Sequence, residues 1–252
     1  MNDSRPEFRI EASRLTWILG TLVAVLVLAS LGAQFVRFHS ADPNIPVVKK
    51  FYLDEENNLP TFFSTLNLLL VCGLLGAAAV QAGWRRDPHA RYWRVMALIA
   101  FLVALDETAS LHEALNRRLT GLPDWGGIFH FAWVLPGSIL TVGLAFFFWR
   151  FLRRLPVWTR RRIMLGGAIF VGGALGLEIV GGSHASRFGE DNLLYSLIVT
   201  GEEALEMVGV VVVIHALVTH LARTSAEVRL TFRESKVTPE AGRPAAVPPT
   251  GA

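Results

Sequence analysis

Apolar positions in this chain come in long unbroken runs rather than at the spacing of an amphipathic helix. Residues 15–36 contain no charged side chain, and neither do residues 61–84. At a rise of about 1.5 Å per residue, each run is long enough to cross roughly 30 Å of hydrocarbon as a helix. Four further runs follow at 95–115, 128–149, 163–183 and 193–221. The pattern predicts an all-α integral membrane bundle of six transmembrane helices. A spanning segment must satisfy its own backbone, and these runs are too long and too uniformly apolar for barrel strands. The first run exceeds the apolar region of a cleavable signal peptide and reads as a span.

Polar residues punctuate the pattern. Residues 39–60 form the longest connection, in which PVVKKFYLDEENNLP predicts a short interfacial helix and Pro60 marks the start of the second span. Pro136 predicts a kink in the fourth span, and the glycines of GGAIFVGGALGLEIVGG allow close helix contact in the fifth. The chain divides into an N-terminal segment (1–14), a transmembrane domain (15–223) and a proline-containing tail (224–252) expected to be disordered.

The charge distribution orients the bundle. Arg85, Arg86, Arg91 and Arg94 fill the second connection, and Arg150, Arg153, Arg154, Arg160, Arg161 and Arg162 fill the fourth. Arg5, Arg9 and Arg14 precede the first span, and Arg223 follows the last. Basic residues favour the cytoplasmic side, so both termini are expected there, in a bacterial inner (cytoplasmic) membrane. These arginines flank spans on one side only, which argues against a nucleic-acid surface and for membrane lipid as the partner. The single Cys72 excludes an intrachain disulfide.

With that orientation, acidic chemistry gathers in the outer half. The stretch ALDETASLHE places Asp106, Glu107, His112 and Glu113 toward the outer end of span three. Glu178 lies in the outer half of span five, and Glu202, Glu203 and Glu206 in that of span six. Glu56 and Asn57 stand at the mouth of span two, and His130 near the outer end of span four. On a continuous helix Asp106, Ser110 and Glu113 form one stripe, with His112 about 120° away from Asp106. A carboxylate at mid-membrane costs about 2.5–3.5 kcal/mol, and the outer halves of these spans hold no lysine or arginine. Protons, histidinium, water or a bound cation must compensate. These residues therefore predict a buried site lined by Glu56, Asn57, Ser110, Glu178 and Glu203. Asp106, Glu107 and Glu113 are its candidate catalytic groups. Asp106, His112, His130, Glu202 and Glu206 are its candidate ligands for one divalent metal, zinc or calcium.

Several chemistries lack their motifs. There is no Glu-x-x-His, no His-Glu-x-x-His and no Gly-x-Ser-x-Gly, and no span contains lysine. Three classes stay open. One is a metal-dependent hydrolase of a lipid amide or ester. Another is a proton- or cation-coupled transporter or channel. The third is a haem or quinone redox protein using His112, His130 or His184.

The segments LDEENNLPTFFSTLNLLL and FLVALDETASLHE together resemble a group of uncharacterised bacterial multipass membrane proteins. A weaker similarity is to the alkaline-ceramidase-like membrane hydrolases, carried by Glu55, Glu56, Asn57 and Asn67. That resemblance implies calcium at the acidic motif, zinc at histidines, and hydrolysis of a lipid amide. The chain departs from it in that Ser110 precedes His112 by two residues and His215 and His220 are one residue too far apart.

Overall fold

A computed structural model of the chain describes residues 11–40, 45–55, 57–119, 127 and 130–224. Glu56, most of the N-terminal segment and nearly all of the tail lie outside the described residues. Among the described residues every regular element is helical. Helix α1 is Ala12–His39, α2 Pro46–Phe51, α3 Leu59–Trp84, α4 Ala90–Ala109 and α5 Leu111–Leu119. Then come α6 Val134–Leu152, α7 Val157–Val171, α8 Glu178–Phe188 and α9 Leu193–Thr224. A π-helical turn, Gly172–Leu177, joins α7 to α8 without interrupting the rod.

Five of these rods are long and apolar enough to cross a membrane: α1, α3, α6, the continuous Val157–Phe188 and α9. The run at 95–115 is not among them, because α4 carries Arg91, Arg94, Asp106 and Glu107. It is also not one helix. Ser110 adopts φ 50°, ψ 46°, the left-handed region that ends α4 and redirects the chain into α5. The expected stripe of Asp106, Ser110 and Glu113 is therefore broken at its middle member.

Helix α9 is the axis of the bundle, with Ile214, Ala216 and Leu217 fully buried. Helices α1, α3 and α7 pack around it, and α4 lies along α3. The α7–α9 contact is made by glycine. A Cβ at Gly209 would stand 2.6 Å from the Phe170 backbone nitrogen, and one at Gly166 2.7 Å from the Gly209 carbonyl oxygen. Any side chain would force the rods apart. Outward positions such as Trp17, Leu28, Phe62 and Phe146 stay exposed, as a lipid-facing surface requires.

The entry to α3 follows from LDEENNLP. The Asn58 side chain accepts from the Thr61 backbone N–H at 3.0 Å and donates to the Tyr52 and Glu55 carbonyls. Pro60 occupies the first turn of α3, where its missing N–H leaves no gap in the ladder. Pro136 does not kink a span, because α6 begins at Val134 and so holds the proline within its own first turn.

Candidate functional site: an acid-lined cavity

At the end of the bundle away from the arginine-rich connections lies a cavity of about 130 Å³. Its walls come from seven parts of the chain: Leu53, Asp54 and Glu55 before α3, Thr61 on α3, and Glu107 on α4. His112, Glu113 and Asn116 on α5, Phe131 before α6, Glu178 on α8, and Tyr195, Val199, Glu202 and Glu203 on α9 complete it. Among the described residues no lysine or arginine lines it. Four of the predicted acids, Glu107, Glu178, Glu202 and Glu203, thus meet at one surface, and Glu113 and His112 join them from α5.

Each acid has a local reason for its position. The π-helical turn inserts an extra residue's worth of rotation just before Glu178. Gly173 within it lets the rod approach α9 so closely that a Cβ there would lie 2.7 Å from the Glu202 carbonyl oxygen. Glu178 and Glu202 are thereby brought side by side, with their carboxyl groups within interacting distance. Glu178 also accepts from Trp133 Nε1 at 2.8 Å, and the Trp133 backbone N–H donates to Asn116 Oδ1 at 2.9 Å. The tryptophan, at the start of α6, thus joins two wall residues, Asn116 of α5 and Glu178 of α8.

Asp106 is placed differently. Because the chain turns at Ser110, His112 swings back over the end of α4. Its backbone N–H donates to Asp106 Oδ1 at 2.8 Å, and its Nδ1 lies 2.9 Å from Oδ2. Burial opposes the imidazolium, but the Asp106 hydrogen bond and charge outweigh it, and the ring is held above its ordinary range. With both oxygens of Asp106 turned to His112, it is the imidazole that reaches the cavity wall.

Glu206 sits one turn below Glu202 on α9, in a second and much smaller cavity of about 10 Å³. Ser64, Asn67, Glu107, Phe170 and Met207 are among its walls. Glu107 lines both cavities. The remaining predicted residues lie elsewhere. His130 Nε2 is 3.8 Å from Glu190 in the connection before α9. Asn57 is exposed with φ 55°, and Ser110 is buried as the helix break itself. Glu56 lies outside the described residues.

The five residues expected to ligate a metal are thus distributed over an Asp106–His112 pair, a His130–Glu190 contact, and two cavities for Glu202 and Glu206. Among the described residues no three histidine, cysteine, aspartate or glutamate side chains are grouped to hold a metal ion. The late histidines face other partners: His215 Nδ1 is 2.8 Å from Thr16 Oγ1, and His220 Nδ1 is 3.2 Å from Thr159 Oγ1.

Sequence reasoning missed Asn116 and Tyr195 as wall residues. Both stand at helical spacing from predicted ones, Asn116 four after His112 and Tyr195 seven before Glu202, and that register was the available signal. Above the cavity, the Tyr52 hydroxyl lies 2.6 Å from Ser196 Oγ and donates to Asp54 at 3.0 Å. Burial, and then the Asp54 charge, push this phenol well above its usual range and keep it a neutral donor.

A helical bundle with several membrane-length apolar rods defines a multi-pass α-helical membrane protein. The chain belongs to the family described as Domain of unknown function (DUF8692), whose pattern matches residues 18–221 and so takes in both cavities. No curated protein and no solved structure matches it.

Proposed function

We propose that this protein handles protons in the outer half of a bacterial inner membrane, through a carboxyl relay leading from the outer cavity to Glu206. The observation that carries the reading is the position of Glu107, a wall of both cavities. Through it Glu178, Glu202 and Glu203 on one side connect with Glu206 on the other. Carboxyls crowded together raise one another's hold on protons, and groups that keep protons within reach of one another pass them on. The paired carboxyls of Glu178 and Glu202 are the entrance of this path.

In this reading α4 is the sixth span. Its 20 residues reach about 30 Å, and it packs along the membrane-length α3 as its antiparallel neighbour. Both termini then lie on the arginine-rich, cytoplasmic side.

The test is proton movement in proteoliposomes carrying a trapped pH dye. Wild-type protein should dissipate an imposed pH gradient, and Glu107→Gln and Glu206→Gln should each slow this about tenfold or more. Equal rates in all three proteins would reject the relay.

A second reading rests on a separate observation, the Asp106–His112 pair. A histidine that lines a cavity and is oriented by an aspartate at its Nδ1 is arranged as a general base. In that reading the protein is a hydrolase of a lipid amide or ester. Among the described residues no three histidine, cysteine, aspartate or glutamate side chains are grouped to hold a metal ion, so in this reading the imidazole itself activates the water. Release of fatty acid from membrane lipid, abolished by His112→Gln, would favour it over the relay.

A further inference from the structure

At the opposite end of the bundle, Trp158 stands in the first turn of α7, beside the last turns of α9. Two guanidinium groups lie over its indole: Arg162 at 3.9 Å from the ring centroid and Arg223 at 4.5 Å. One comes from one turn further along α7, the other from the end of α9. His215 flanks the same ring at 5.9 Å and is tied to Thr16 of α1. Three rods thus meet around one tryptophan.

The charge balance here is unusual. Two like charges converge on a single ring, and among the described residues neither Arg162 nor Arg223 has a carboxylate partner or a hydrogen-bond acceptor. Stacking on the indole orients each guanidinium but uses none of its five N–H donors. Two forks held by one ring, with their donors unspent, form a receptor for a group that carries negative charge on several oxygens. The depth narrows the choice. Trp158 is at the boundary between the apolar rods and the arginine-rich connection, where lipid phosphates reside and where tryptophan rings settle.

We propose that Arg162, Arg223 and Trp158 form a binding site for the headgroup of an anionic phospholipid on the basic face of the membrane. The guanidiniums bridge the phosphate, and the indole fixes both of them and covers the upper part of the acyl chains. This site is independent of the acid cavity and of whatever passes through it.

The test uses the full chain released from nanodiscs of equal phosphatidylglycerol and phosphatidylcholine content, with retained lipids counted by native mass spectrometry. Wild-type protein should retain phosphatidylglycerol about tenfold over phosphatidylcholine. The double variant Arg162→Gln/Arg223→Gln should lose that preference. Arg162→Lys and Arg223→Lys, which keep the charge and spare the fold, should each lower it about threefold, because an ammonium lacks the planar fork. A control that removes two nearby charges, Arg150→Gln/Arg161→Gln, should leave the preference in place. Equal retention of both lipids by wild type would overturn the site. So would a loss in the control as large as in the double variant, since the attraction would then be diffuse. Displacement of the lipid by millimolar inorganic phosphate would assign the two arginines to a free anion and overturn the lipid reading.

Discussion

His112 closes back on Asp106, six residues earlier, with both its backbone N–H and its Nδ1 directed at the one carboxylate. The two contacts are possible only because Ser110 turns into the left-handed region between them. A straight helix would have put the histidine about 120° away and left the aspartate facing lipid or a neighbour. Asp106 therefore caps the start of α5, and the pair delivers an imidazole to the cavity wall in place of a carboxylate.

This pairing makes stability depend on pH in a definite direction. The His112 ring is held above its ordinary range when folded, whereas an unfolded imidazole titrates near ~6.5. Its contribution is complete below the unfolded value and is lost as pH rises through the folded one. In micelles, the gap in thermal midpoint between wild type and His112→Gln should be widest near about pH 6 and shrink toward about pH 9. A gap that stays constant across that range would show that the pair is not ionic.

Glycine at the α7–α9 contact should be irreplaceable. Gly209→Ala brings a methyl within 2.6–2.9 Å of Phe170 and of the Gly166 carbonyl oxygen, and backbone atoms there cannot move aside. A loss of about 1–3 kcal/mol is expected, as for other overpacked interiors. Gly76→Ala in α3, whose Cβ would meet nothing within 4 Å, should be neutral or slightly stabilising. The thermal midpoints of the two variants decide the matter, and similar values would contradict the close approach.

The Glu178–Glu202 pair predicts a contrast between two substitutions at one position. Glu202→Gln keeps a polar partner for Glu178 and should leave stability unchanged or raised. Glu202→Leu strips that partner from Glu178 and should cost about 1–3 kcal/mol. If the leucine variant proves the more stable of the two, the carboxyls are not hydrogen-bonded to each other.

Membrane topology separates five spans from six. If α4 crosses the membrane, reporters inserted after Asp87 and after Pro156 should sit on the same side, and one after Asp54 on the other. If α4 does not cross, the Asp87 and Pro156 reporters will disagree. The outcome settles whether the acid cavity and the arginine-rich connections face opposite compartments.

The sequence by itself determined the class of this protein, for a reason that belongs to the solvent. Lipid offers the backbone no hydrogen bonds, so long apolar runs have to be helices, and their lengths can be read directly. The same argument made intramembrane acids conspicuous, and Glu107, Glu178, Glu202 and Glu203 do line one cavity. What hydropathy could not convey was direction. Ser110 leaves the helical region within a run that reads as continuous, and the π-helical turn before Glu178 shifts a register assumed constant. Each displaces side chains around an axis without changing the apolar count. Likewise, Pro136 lies in the first turn of α6 rather than in its interior, because the helix starts later than the apolar run does. Which carboxyl meets which, and that Asp106 meets a histidine instead, was decided by glycine contacts and a single left-handed serine. Those are properties of how rods touch, and they exist only once the bundle has formed.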